Sequence, residues 1–315
     1  MISSKVNILI SIKFFLLISF LFAAKNSVEK EQGKVFREIM KTYTFVGDFT
    51  QRPAERSISK EFFWRYFYPI PSPVFEVDSK FGDTASELPR AVGEGRAVSH
   101  LNRGRLLFGT GDFEQARKTW LSARARYGTN YAQHRLADYF IALSFLRLAK
   151  QLDHKSVSEA VKNSQRLHYA NAAAFFSWAF IKKKDVKENA IEDLTPKGLY
   201  TLSAIYFNHE RFAGAHSAVN AGLDYLRING LSSYRKELRK ILIETWVRSR
   251  NYQRAVQEID TLIRLENDPS VAAYGFKRVG DLYFDLNNYE LSEDAYQLSQ
   301  RLNYLNNKLD LSSLV

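Results

Sequence analysis

The most regular pattern of apolar and polar positions runs from Ala273 to Arg301, AYGFKRVGDLYFDLNNYELSEDAYQLSQR. Phe276, Val279, Gly280 and Tyr283 share one helical face, and Tyr289, Ser292, Tyr296 and Ser299 share another after a polar turn. The spacing predicts two helices that cross where Gly280 and Ser292 let the backbones approach, with rings one turn away filling the gaps. The register recurs in LYTLSAIYFNHERFAGAHSAV at Leu199, Leu202, Ser203, Tyr206, Phe212, Ala215 and Val219. It recurs in LIETWVRSRNYQRAVQEI at Leu242, Ile243, Trp246, Tyr252, Ala255 and Ile259, and in GRLLFGTGDFEQARKTWLSA at Gly104, Leu107, Phe113, Ala116, Trp120 and Ala123. Two copies depart from it. Arg239 stands where a large apolar residue is expected and Ile243 where a small one is, so Leu238 is expected to supply the packing. His100 and Arg103 weaken the first helix of the copy at Gly104.

The order large, large-small, aromatic, aromatic, small, aromatic, small resembles the tetratricopeptide repeat. The resemblance implies an all-α fold, a right-handed superhelical solenoid of stacked antiparallel helix pairs. Six pairs are expected, starting near residues 97, 135, 170, 196, 236 and 273. YAQHRLADYFIALSFLRLAKQL and SVSEAVKNSQRL form the second pair, and ANAAAFFSWAFIKKK and KENAIEDL the third. The phrase RYGTNYAQHRLADY is similar to a feature of periplasmic members of the superfamily. The family places its ligand groove along the first helix of each pair. Carried over, that groove presents Lys197, Tyr200, Ala204, Phe207 and Asn208, then Lys240, Glu244, Val247 and Arg248, and finally Tyr274, Lys277, Asp281, Phe284 and Asp285. Rings mixed with charges of both signs suit an extended peptide or a helix of another protein.

Ahead of the repeats the pattern changes. Five of the seven prolines (Pro53, Pro69, Pro71, Pro73 and Pro89) precede residue 90, while Pro196 and Pro269 fall where new pairs begin and a first-turn proline is tolerated. The expected organisation is therefore a signal or anchor at 1–24, a non-repetitive segment at 25–90, the solenoid at 91–303 and a terminal cap and tail at 304–315. VEKEQGKVFREIMK suggests a short amphipathic helix at 28–41. KEFFWRYFYPIPSPVF gathers Phe62, Phe63, Trp64, Tyr66, Phe67, Tyr68 and Phe75 around three prolines. It reads as a cap covering one end of the solenoid, or as a docking or membrane-interface patch.

Lys5 and Lys13 precede an apolar run from Phe14 to Ala24 that holds a single polar residue, Ser19, and is shorter than the roughly twenty residues of a membrane span. Export to a bacterial periplasm with cleavage near Ala24 is the favoured reading. An uncleaved inner-membrane anchor through residues 6–24 is the alternative. The absence of cysteine excludes disulfides, thiolate metal sites and a cysteine nucleophile.

The net charge of +11 is unevenly spread: 91–128 carries a surplus of four, while 273–315 carries a deficit of two. A basic surface favours anionic partners, but export removes nucleic acid from consideration. No catalytic, cofactor or metal motif emerges. GRLLFGTG lacks the Lys-Ser/Thr of a phosphate loop, and His209-Glu210 lacks the second histidine of a zinc protease because Ala213 occupies its place. The expected function is a non-catalytic scaffold of the cell envelope that holds protein or peptide partners. The alternatives are the superhelical part of a cell-wall-cleaving enzyme, or a cytoplasmic repeat chaperone or regulator if the N-terminus is no export signal.

Overall fold

The computed structural model describes Lys34 and residues 36–40, 43, 45, 49, 74–77, 88–127, 131–153, 158–182, 192 and 194–312. Among the described residues there is helix and no strand, and within each compact unit the helices pack mainly on their neighbours in sequence. They are α1 (Arg96–Gly109), α2 (Phe113–Arg126), α3 (Tyr131–Asp153), α4 (Glu159–Ser177), α5 (Thr195–Asn208), α6 (Phe212–Ile228), α7 (Arg235–Arg248), α8 (Tyr252–Glu266), α9 (Pro269–Asp285) and α10 (Tyr289–Ser312). No described helix is long and apolar enough to cross a membrane, and residues 1–24 lie outside the described residues. The chain divides into two compact units, one of Pro69–Ser249 and one joining Met1–Tyr68 to Arg250–Val315.

The small residues of the register are where the helices close. Ala116, Ala215, Ala255 and Ser292 are each completely buried. A Cβ built on Gly104 would come within 2.2 Å of the Trp120 ring, and one on Gly280 within 2.8 Å of the Tyr296 ring. In the α7 copy, Ile243 is buried where a small residue was expected, and Leu238 does supply packing, lying against Gly222 of α6.

The turns repeat as closely as the packing. Gly111, Glu210, Arg250 and Asn287, each two residues before the aromatic that opens the next helix, all have positive φ. In three of these turns the same hydrogen bonds close the preceding helix: Asp112 N–H to Leu107 C=O, Arg211 to Tyr206 and Asn288 to Tyr283, beside Gly111 to Phe108, Glu210 to Phe207 and Asn287 to Phe284. A single left-handed residue at this point satisfies the last carbonyls of one helix and reverses the chain. The next residue begins α2, α8 and α10 as an acceptor: Asp112, Asn251 and Asn288 receive the N–H of Gln115, Arg254 and Leu291. At α6 that position is Arg211, which offers no such acceptor.

Two boundaries differ from expectation. The helix α4 runs unbroken from Glu159 through residues 168–172 and continues as a π-helical turn, Trp178–Lys182. The segments assigned to the end of a second pair and the start of a third are thus one helix packed on α3, and no separate pair starts at residue 170. Of KENAIEDL only Glu192 and Leu194 are described. The π turn is held by a buried arginine. Arg135 is 1% exposed; its Nε donates to the Ala179 carbonyl and Nη1 pairs with Glu192 at 2.5 Å. Tyr225 of α6 donates to the same Glu192 carboxylate. Neither arginine nor the wide turn has a signature in apolar spacing. At the other end, α10 passes residue 304 without a break and reaches Ser312.

Candidate functional site

In the unit Pro69–Ser249, α5 faces a non-helical segment, Val74–Val77. Asn208 clamps it. The Phe75 N–H donates to Asn208 Oδ1 at 3.1 Å, and Asn208 Nδ2 donates to the Phe75 carbonyl at 2.8 Å. A carboxamide used this way satisfies both backbone polar groups of one residue, as a neighbouring strand would. The Tyr200 hydroxyl donates to the Glu76 carbonyl at 3.0 Å, and Lys150 Nζ of α3 to the Val77 carbonyl at 2.6 Å.

Side chains alternate along the segment. Phe75 meets Phe207 edge to face at 5.1 Å between centroids, Glu76 points to solvent, and Val77 is buried in the core. That is the period of a half-buried strand. Phe75 thus lies beside Phe207 and Asn208, two of the residues expected in the groove. Residues 62–73, the rest of the aromatic stretch, lie outside the described residues. Each neutral hydrogen bond here contributes about 0.5–1.5 kcal/mol net, and the ring pair a similar amount, so the segment is held firmly for its length.

The other residues expected in the groove divide by burial. Lys197, Lys240 and Val247 are half-buried and Arg248 is exposed. Ala204 and Glu244 are buried and line no open surface. The reason is the tightness of neighbouring helices, which covers positions that spacing alone assigns to a ligand-facing stripe.

In the unit of Met1–Tyr68 and Arg250–Val315, Phe284 is likewise buried, against Tyr289. Asp285 accepts from the Tyr252 hydroxyl at 3.1 Å, and Asp281 accepts from Tyr296 at 2.7 Å and pairs with Arg278 at 2.6 Å. These two carboxylates therefore bind helix to helix. Burial raises the Asp281 carboxyl pKa against the pull of Arg278, and burial beside Asp281 pushes the Tyr296 hydroxyl well up. Tyr274 is half-buried and Lys277 exposed. In this unit too the N-terminal stretch lies on the first helix of the pair: Tyr43 and Phe45 meet Phe276 at 4.3 and 5.7 Å, and Phe49 meets Tyr283 at 5.0 Å. Burial drives the Tyr43 hydroxyl pKa far above its ordinary value.

Spacing had placed Tyr200, Phe207 and Asn208 on one face. It carried no sign that residues 74–77 would occupy that face, because the partners are separated by 124 to 133 positions. Lys150 was not anticipated; as the last basic residue of an apolar helix it looks like dipole compensation. Among the described residues no group of histidine or acidic side chains is arranged to hold a metal ion. The chain matches no protein-family model and no curated protein.

Proposed function

We propose that this protein is a non-catalytic helical scaffold that recognises extended protein segments on its α5 face. The observation that carries the reading is the two-way clamp of Asn208 on the backbone N–H and C=O of Phe75, with Tyr200 and Lys150 reading the next two carbonyls. Backbone groups supply this binding, so it accepts many sequences. Selectivity comes from what alternate side chains meet: a ring for Phe207 at the first position, a free second position and an aliphatic side chain at the third. The resemblance to tetratricopeptide repeats supports the same reading, with protein or peptide partners in the bacterial envelope and residues 1–24 as the export signal. The segment 74–77 is the resident occupant of this face. A partner carrying an aromatic residue two positions before an aliphatic one takes its place when the resident leaves.

The test vacates the face in the full chain with Phe75→Ala and Val77→Ala together, then titrates a labelled peptide of residues 72–79. The vacated protein is expected to bind the peptide, and addition of Asn208→Ala to weaken it at least about tenfold, the loss of more than one hydrogen bond. A folded, vacated protein that ignores the peptide contradicts the reading.

A further inference from the structure

A cavity of about 210 Å³ opens between α4 and the turn that leads from α5 into α6. Ala173 and Ile205 form its apolar wall, and Arg166, Tyr206, His209 and Arg211 supply its polar lining. Arg166 from α4 thus joins His209 and Arg211 from the turn between α5 and α6, with no carboxylate in the lining. Like charges gathered this way repel one another, and because both arginines are exposed they remain open to an anion from solvent.

Local acids do not neutralise the cluster. Arg211 has no acidic partner among the described residues. Arg166 reaches Glu159 at 3.6 Å, with both side chains about two-thirds exposed (65% and 68%), a pair that contributes little. His209 is half-buried and stacks on Tyr169 at 5.0 Å between centroids. Its pKa lies below the ordinary 6.5, first through burial and then through Arg211 and Arg166.

We propose that this cavity binds a phosphate group, either as free phosphate or as the monoester of a small molecule. Two arginines with planar forks suit the oxygens of a phosphate, and the imidazole and phenol add hydrogen bonds at its sides. The volume exceeds what a bare phosphate fills, which leaves room for the body of a small monoester. The assignment is independent of the peptide reading: the cavity residues Ile205, Tyr206 and His209 interleave on α5 and its end with the clamp residues but share none of them.

Calorimetric titration of the full protein with inorganic phosphate and with phenyl phosphate tests it, with the His209 ring resonances followed by NMR. Saturable binding that shifts the His209 signals is expected. The variant Arg166→Ala/Arg211→Ala should bind at least about tenfold more weakly. Arg211→Glu alone is a second variant with the same expected loss, read after its melting confirms a folded protein. The control Arg103→Ala/Arg126→Ala removes the same charge from exposed positions elsewhere in this unit and should bind as the parent does. Tighter phenyl phosphate assigns the site to a monoester, and equal affinity assigns it to free phosphate. Absence of binding in the parent, unchanged affinity in the cavity variants, or an equal loss in the control each overturns the proposal.

Discussion

At Gly104 the fold turns on a missing carbon. An added Cβ would sit 2.2 Å from the Trp120 ring, whose Nε1–H donates to the Leu101 carbonyl at 3.0 Å, so the indole is fixed and cannot swing aside cheaply. Alanine normally gains about 1 kcal/mol over glycine inside a helix, and overpacking costs about 1–3 kcal/mol. With a ring this close the steric cost wins. Gly104→Ala is expected to lower stability by about 1–2 kcal/mol in denaturant unfolding; a variant as stable as the parent would mean the α1–α2 crossing is looser than described. Such positions were legible in the sequence, since Gly104, Ala116 and Trp120 recur at the spacing of Gly280, Ser292 and Tyr296. Glu244 and Ala204 were not read correctly. Helical spacing says which face a residue shares, but burial of that face depends on how closely the next helix approaches.

Among the elements, the turns reveal a repetition that apolar spacing had shown only as a constant gap. Glycine at 111 and asparagine at 287 suit a left-handed residue, whereas Glu210 and Arg250 adopt it at a cost of about 1–2 kcal/mol. Arg250 is exposed, with φ of 55°. Arg250→Gly should therefore raise the melting temperature, with a gain of about 0.5–1 kcal/mol after the greater chain entropy of glycine is subtracted. An unchanged or lowered melting temperature would mean that the left-handed conformation at residue 250 carries no such cost. The helix α4 shows the opposite lesson. Its run NSQRLHYANAAAF carries no glycine or proline to stop it, and Asn171, the one capping residue near the expected boundary, does not interrupt the helix. The π turn after it depends on Arg135, a residue whose role is set by Glu192, 57 positions away.

On the scale of the whole molecule, the sequence suggested a division near residue 90 with a separate N-terminal segment. The structure assigns parts of that segment to both compact units, residues before 69 to one and 74–77 to the other. In each, aromatic residues from the segment lie on the first helix of a pair: Tyr43, Phe45 and Phe49 on α9, Phe75 on α5. Pattern reading could identify the helices because their contacts are local. It could not identify the occupant of the α5 face, which is non-repetitive and joined to its partners only by tertiary contacts.

The central claim is that Asn208 holds the Phe75 backbone as a strand would, and amide hydrogen exchange at Phe75 in the full protein measures it most directly. The Phe75 N–H should exchange slowly in the parent, and at least about tenfold faster in Asn208→Ala while the amides of α1 and α6 keep their protection. A Phe75 amide that exchanges in the parent at the rate of an unstructured peptide would contradict the account.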